Sequence, residues 1–236
     1  LNSSGDCNID VNCPLGNGWD NEIRSVAMIV VGGSGICTGA LVNNTCNDGT
    51  PYFLTANHCL GGSTGSWAFR FNWQSPPGTQ SCATTVGSVD PGPPYDQTAN
   101  GATTLVSSAA SDFALLEITN MTISTAQNWN CFYAGWDASD LTTVTQATCI
   151  HHPSGDVKKI CRENDAPFHS NNAGAATWYI TQWEQGVTEP GSSGSPLFDQ
   201  NHRIIGQLYG GAAACSGTVN NGQYDYYGRM GVSWNN

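Results

Sequence analysis

Residues 66–73 read SWAFRFNW. Aromatic rings fall at every second position, Trp67, Phe69, Phe71 and Trp73, with other residues between them. Alternation at period two places one set of side chains on each face of an extended chain, so the stretch predicts a half-buried β-strand. The rest of the chain repeats the theme. AMIVV (27–31), YFLT (52–55), TTLV (103–106), DFALLEI (112–118), WYITQW (178–183) and RIIGQLY (203–209) are short β-branched or aromatic runs bounded by turn residues. No helical stripe exceeds about two turns, and no segment repeats. QSPPGTQS (74–81) and VDPGPPYDQTANG (89–101) are loops rather than linkers, because strand signals resume at once. Short strands so spaced predict an all-β barrel or sandwich. The polar, unpatterned TNMTISTAQNWN (119–130) is the expected boundary between two halves.

Composition narrows the setting. The 236 residues are 39% hydrophobic and only 11% charged, with 28 glycines, a balance suited to a β-rich secreted protein with a sizeable core. Ten cysteines, an even number, suggest an oxidising compartment and several disulfides. A net charge of −11 argues against nucleic acid and mildly favours cationic substrates. No apolar run approaches the roughly 20 residues of a membrane span. The opening LNSSGDCNID lacks a cleavable signal, as expected of a mature, processed chain. The expectation is a secreted monomer, with no nucleic-acid or membrane partner.

Three stretches carry chemistry. Acyl transfer by serine needs a nucleophile, a base beside it and a group that holds the base in the right tautomer. YFLTANHC (52–59) ends an apolar strand on His58, directly before Cys59; a tie from Cys59 to Cys37 on the GICTGALV strand (35–42) would fix the imidazole loop. SDFALLEI (111–118) sets Asp112 at the mouth of a buried strand. EPGSSGSP (189–196) sets Ser193 among tight-turn glycines, where the N–H groups of Gly191 and Ser193 can aim at one developing oxyanion. Each alone reads as a surface histidine, a turn aspartate or a flexible loop. In this order they form one of the known triad arrangements.

Those stretches resemble the motifs of chymotrypsin-like serine proteases, and more specifically the bacterial lysyl endopeptidases. SGDCNIDVNCP (4–14), GALVNNTCNDGTPYFLTANHC (39–59), FYAGWD (132–137), IHHPSGDVKK (150–159), GVTEPGSSGSPLF (186–198), GQLYGG (206–211) and DYYGRM (225–230) are similar to that family in order. The resemblance implies two six-stranded antiparallel β-barrels with the active site in the cleft between them. The whole of 1–236 would be one peptidase unit: an N-terminal barrel over roughly 20–120, a C-terminal barrel over roughly 125–236, and a segment 1–19 tied to the second barrel. It implies a general base at His58, an orienting carboxylate at Asp112, a nucleophile at Ser193 and oxyanion donors at Gly191 and Ser193. Asp225 would lie at the base of the specificity pocket and meet a substrate lysine, with Tyr209, Gly210 and Gly211 lining the substrate cleft. The expected reaction is cleavage of protein and peptide substrates after lysine, through an acyl-enzyme, without metal or cofactor.

Two positions depart from relatives. Ser192 stands where animal trypsin-like enzymes carry an aspartate that pairs with a freed N-terminus, so activation by that ion pair is not available. Tyr209 replaces a histidine of the family and is expected to pack near His58 as part of the cleft wall. The family pattern supplies the disulfides Cys7–Cys215, Cys13–Cys82 and Cys37–Cys59. CIHHPSGDVKKIC (149–161) suggests Cys149–Cys161 as a local pair, which leaves Cys46–Cys131.

Other readings are weaker. A zinc enzyme would need HExxH or paired CxxC spacing, and neither occurs; His151 and His152 read as structural or surface residues on opposite strand faces. A protease-fold binding module could use the eight Trp and eight Tyr, but would have no need for all three of His58, Asp112 and Ser193. An enzyme accepting both Lys and Arg is the nearest rival. Sequons at 43–45 and 120–122 matter only in a glycosylating host.

Overall fold

The computed structural model describes residues 4–83, 88–92, 94–217, 219 and 221–235. Fifteen strands are present among them: β1 (Ile9–Asp10), β2 (Val26–Val31), β3 (Ser34–Leu41), β4 (Tyr52–Ala56), β5 (Ala68–Phe71), β6 (Thr98–Asn100), β7 (Ala102–Ser108), β8 (Phe113–Ile118), β9 (Ala147–His151), β10 (Lys159–Glu163), β11 (Phe168–Asn172), β12 (Ala175–Ile180), β13 (Pro196–Phe198), β14 (Ile204–Gly211) and β15 (Asp225–Arg229). Helices are short: α1 (Asp20–Ser25), α2 (Ile123–Asn128) and α3 (Met230–Ser233). The alternation at 66–73 is realised as expected, with Trp67, Phe69, Phe71 and Trp73 buried and the residues between them half-exposed.

Seven strands form one antiparallel sheet in the order β6-β5-β2-β3-β4-β8-β7. Its two edge strands, β6 and β7, are consecutive in the chain and separated only by Gly101, at φ +77. A non-glycine residue there would be strained, and its Cβ would lie 2.8 Å from Thr119 Oγ1. The glycine corner lets one run of chain pair first with β5 and then with β8, so the sheet curls on itself. The seven-strand count therefore contains the expected six, with one strand broken at Gly101.

The second sheet has eight strands in the order β1-β10-β9-β13-β14-β15-β12-β11. Two short edge additions take it beyond six. β1 comes from the N-terminal segment, pairing Ile9 with Ile160 and Asp10 with Lys159, and β11 forms a hairpin with β12. The polar, unpatterned stretch at 119–130, the expected boundary between the halves, holds α2; Thr122 caps it by accepting the Thr125 N–H.

Where the sheets meet, apolar side chains from both form one cluster. Val26, Ala40, Leu54 and Phe113 from the first sheet pack with Ile150, Phe198 and Ile204 from the second. Separate clusters fill each half, around Phe53, Phe69 and Phe71 in the first and Trp178, Trp183 and Tyr227 in the second.

Three disulfides are formed, Cys7–Cys215, Cys13–Cys82 and Cys37–Cys59. The N-terminal segment is thereby stitched to both halves. Bridges of this kind contribute about 2–4 kcal/mol each, largely by restricting the unfolded chain. The other two expected pairs are not formed, a correction to the sequence reading. Cys149 and Cys161 face each other across β9 and β10 but remain buried thiols, with Cys149 Sγ 3.1 Å from Ser195 Oγ. Burial pushes the Cys161 thiol well up, which disfavours the thiolate needed for disulfide exchange. Cys46 is exposed and Cys131 half-buried, and they are not joined.

Candidate active site

His58 sits in a 3₁₀ turn, Asn57–Cys59, immediately after β4. Cys37–Cys59 ties that turn to β3. Asp112 occupies the turn between β7 and β8 at φ +50, a left-handed conformation that aspartate tolerates better than most residues. The strained turn aims its carboxylate back at the histidine loop. Oδ2 lies 2.7 Å from His58 Nδ1, and Oδ1 accepts the His58 backbone N–H at 2.9 Å. Asn57 N–H adds a third tie by donating to the Asp112 carbonyl at 2.8 Å. Asp112 is only 2% exposed, whereas the imidazole is about one-third open to solvent. One carboxylate therefore fixes both the position and the tautomer of the ring.

Ser193 projects from the turn that precedes β13. The turn is docked against the first sheet: Thr38 N–H donates to the Ser193 carbonyl at 2.8 Å, and Thr38 Oγ1 donates to the Gly191 carbonyl at 3.0 Å. Gly194, at φ +80, lies so close to β3 and β4 that a Cβ would stand 2.2 Å from Thr55 Oγ1. This docking brings the Ser193 carbonyl to 3.9 Å from Cys59 Sγ, next to His58 in the chain. Among the described residues the Ser193 hydroxyl is not hydrogen-bonded to the imidazole; such contacts often tighten only when substrate binds.

The backbone of the turn alternates in a way that bears on charge stabilisation. Ser192 N–H donates to Glu189 O at 3.0 Å and Gly194 N–H to Leu208 O at 2.8 Å. The N–H groups of Gly191 and Ser193 donate to nothing among the described residues. Gly191 has φ +96, and a Cβ there would lie 3.0 Å from the His152 carbonyl. Only glycine fits. Two unengaged donors on one tight turn are what an oxyanion requires.

Asp225 opens β15 and is 2% exposed. Its Oδ2 accepts Trp183 Nε1–H at 2.7 Å and Thr188 Oγ1–H at 2.5 Å. Burial pushes its pKa up to about 7, against the lowering effect of those hydrogen bonds. No cation pairs with it among the described residues. Gly211 pairs with Asp225 across β14 and β15, and a Cβ at Gly211 would stand 2.2 Å from Asp225 Oδ1. Gly210 pairs with Tyr226. On the other side of β14, β13 pairs as far as Gln207 and the turn before it bonds Leu208, so among the described residues Tyr209–Gly211 leave that edge of β14 open.

The Tyr209 ring stacks on His58, with centroids 5.6 Å apart and planes at 28°. Behind it runs a succession of rings that sequence reading missed: Tyr226 at 5.3 Å from Tyr209, then Tyr224, Tyr179 and Phe168. Tyr224 and Tyr226 are two apart, and that period was the available signal; the cross-strand register to Tyr179 was not.

His151 and His152 are both fully buried, so the structural alternative of the sequence reading applies and the surface one does not. Elsewhere, Glu163, Asp165 and Glu184 place carboxylate oxygens within 4.8 Å of one another. Backbone N–H groups of Asp165, Gln182 and Asn164 take up oxygens of Glu163 and Glu184, joining two segments about twenty residues apart.

Comparison with known proteins follows the same lines. The sequence profile of the lysyl endopeptidase C-terminal domain matches residues 1–228. A lysyl endopeptidase of Pseudomonas aeruginosa is 30% identical over 237 aligned positions, covering 95% of this chain and 49% of that protein; the chain thus spans about half the length of this relative. Among solved structures, an HtrA-type protease, AlgW, with a tripeptide superposes with a TM-score of 0.61 at 14% identity, over 94% of this chain and 62% of that one. The active form of the Rv3671c protease from M. tuberculosis gives 0.56 at 16% identity, over 94% and 81%. The MamO protease domain from Magnetospirillum magneticum gives 0.55 at 12% identity, over 92% and 97%. At such identities these structures speak to the fold alone, which is chymotrypsin-like.

Proposed function

The chain belongs to the lysyl endopeptidase family, and from that premise we propose that it is a secreted serine endopeptidase cutting on the carboxyl side of lysine. The observation that carries this reading is the double grip of Asp112 on His58, on ring and backbone at once. A carboxylate buried against Nδ1 holds the proton there and leaves Nε2 as a base.

The mechanism follows from the groups present. His58 Nε2 takes the hydroxyl proton of Ser193 as the oxygen attacks the scissile carbonyl. Negative charge develops on the carbonyl oxygen, and the unengaged N–H groups of Gly191 and Ser193 stabilise it. Asp112 stabilises the imidazolium without taking its proton. The protonated ring then gives its proton to the leaving amine, and water repeats the sequence on the acyl-enzyme.

Substrate selection rests on Asp225. A buried carboxylate with only neutral donors gains a full charge partner when a lysine ammonium arrives. The open edge of β14 at Tyr209–Gly211 offers main-chain pairing to the peptide before the scissile bond. Three disulfides support an extracellular setting, and no described helix is long and apolar enough to cross a membrane.

A fluorophosphonate probe and a mixed peptide pool test the reading together. The native protein should take up the probe at Ser193 and cut after lysine; Ser193→Ala should do neither while keeping its melting temperature. Peptide cleavage by a folded Ser193→Ala variant would overturn the mechanism. Equal cleavage after arginine would replace the lysine assignment with a broader one.

A further inference from the structure

Ser192 precedes the proposed nucleophile and is completely buried. Its backbone takes part in the turn at both ends, donating to Glu189 O and accepting from Ser195 N–H, each at 3.0 Å. Its side chain is held as well. Oγ accepts the Glu189 N–H at 3.2 Å and lies 2.7 Å from Nδ1 of His151, the last residue of β9. The two side chains are 41 positions apart in the chain.

The imidazole is costly where it stands. Its ring is wholly buried, and burial together with the nearby Lys159 pushes its pKa down to about 3, so it is neutral. A neutral ring carries one N–H. Nε2 has no hydrogen-bond partner among the described residues. Ser192 Oγ already accepts the Glu189 N–H, and its own O–H finds an acceptor in Nδ1 when the ring proton sits on Nε2; in the other tautomer Nδ1–H donates to Oγ, and either way one hydrogen bond ties the two side chains. An apolar side chain would fill the same space without desolvating two nitrogens. Among the described residues the hydrogen bond to Ser192 is the one polar contact this ring makes.

We propose that His151 is a positioning residue for the oxyanion hole, acting through Ser192 to fix the peptide planes that aim the Gly191 and Ser193 N–H groups. The inference rests on the serine-peptidase reading above. Ser192 lies between the two unengaged donors: the Ser193 N–H belongs to the peptide plane that Ser192 itself begins, and the Gly191 N–H lies one plane before the Gly191–Ser192 peptide, so a shift of Ser192 turns the first directly and the second through Gly191. In animal trypsin-like enzymes an aspartate at this position pairs with a freed N-terminus; here a neutral serine–histidine pair fills the corresponding place. The far side of the turn has its own restraint. The Glu189 carboxylate accepts Gly5 N–H at 3.1 Å and Asn8 Nδ2–H at 3.1 Å, and Cys7–Cys215 fastens that segment.

The test separates aim from general stability. His151→Phe keeps an aromatic ring and removes the hydrogen-bonding nitrogen; His151→Asn places an amide, able to donate or accept, near the position of Nδ1. In His151→Phe, kcat on a lysyl peptide amide should fall about 10–100-fold, less than the roughly 10²–10³ of losing a donor outright, with KM within about threefold. Affinity for a lysyl peptide aldehyde, whose adduct places an oxyanion in the hole, should fall by a similar factor. Affinity for n-butylamine, which occupies only the lysine pocket, should not change. His151→Asn should recover much of the loss, Ser192→Ala should reproduce it, and the double variant His151→Phe/Ser192→Ala should add little to either single loss. A folded His151→Phe protein with native kcat and aldehyde affinity would overturn the proposal. So would parallel losses of aldehyde and amine binding, which mark general damage. Should His151→Phe not fold, Ser192→Ala decides the matter by the same measurements. If the native protein neither cleaves peptides nor takes up the fluorophosphonate, the peptidase reading falls and this inference falls with it.

Discussion

Asp112 and Asp225 are two carboxylates of equal burial, each 2% exposed, and they are finished to different degrees. Asp112 has its partner within the protein, an imidazole at 2.7 Å that can carry positive charge, and a backbone N–H on its other oxygen. Asp225 is surrounded by neutral donors, Trp183 and Thr188, and by no cation among the described residues. Burial therefore raises its pKa to about 7. The fold completes one ionic arrangement and leaves the other without a cation among the described residues. In the proposed peptidase the first serves the chemical step and the second serves selection.

The sharpest way to break this contrast is Asp112→Asn. Asparagine accepts the φ +50 backbone as readily as aspartate, so the fold should survive. Its carbonyl can still accept the His58 backbone N–H, but its amide then faces Nδ1 and forces the proton to Nε2. The base is lost, and kcat should fall by about 10⁴ with KM little changed; steady-state kinetics on a lysyl amide check it. Loss in KM alone would mean that the grip on His58 has no part in the chemistry.

Asp225→Asn should be milder and fall elsewhere. Removing one partner of a buried charge pair costs about 2–5 kcal/mol, so kcat/KM for lysyl peptides should drop about 10²–10³-fold while neutral peptides are cut as before. The same substitution should affect stability in the opposite sense. A carboxyl whose folded pKa is raised from 3.8 to about 7 stabilises the free protein fully below pH 4 and loses that contribution as pH rises toward 7. Above pH 7 the native protein holds an ionised, unpaired Asp225, and Asp225→Asn does not. The variant should melt higher than the native protein at pH 8, and the gap should close at pH 4. Identical melting differences at both pH values would show that Asp225 is already paired.

The smallest expected effect concerns the wall between the two carboxylates. Tyr209→Leu removes the ring stacked on His58. Aromatic pairs are worth about 0.5–1.5 kcal/mol, so a loss of about 3–10-fold in kcat/KM should follow, measurable with a single peptide.

Legibility in the sequence followed distance along the chain. The strand at 66–73 was readable because its period is local, and burial of Trp67, Phe69, Phe71 and Trp73 matches it. His58, Asp112 and Ser193 were singled out because acyl transfer needs those three kinds of group; the structure hydrogen-bonds the first two, and the catalytic roles of all three belong to the proposed function. Asp225 rested on resemblance, since its burial depends on Trp183 and Thr188. Lys158 and Lys159 show what is hidden: adjacent lysines suggest a solvated turn, yet both are buried. Lys158 Nζ donates to the Ile23 carbonyl at 2.6 Å, and Lys159 pairs with Asp10, 149 positions away. His151 was hidden for the same reason. The unpaired thiols went unforeseen because pairing by elimination assumes that every cysteine is bonded.

Thr38 joins the two sheets at the serine turn. This one residue, from the first sheet, closes two carbonyls of the serine turn, which lies about 150 positions later and belongs to the second sheet. In the proposed peptidase neither half owns a finished reactive centre. Under the proposed function, a polypeptide still being made, however well its early strands have folded, would hold no hydrolytic power over its neighbours until the late strands arrive and dock. Chains truncated before β15 should accordingly take up no fluorophosphonate, and the delay would spare unfolded sister chains from digestion during their own maturation.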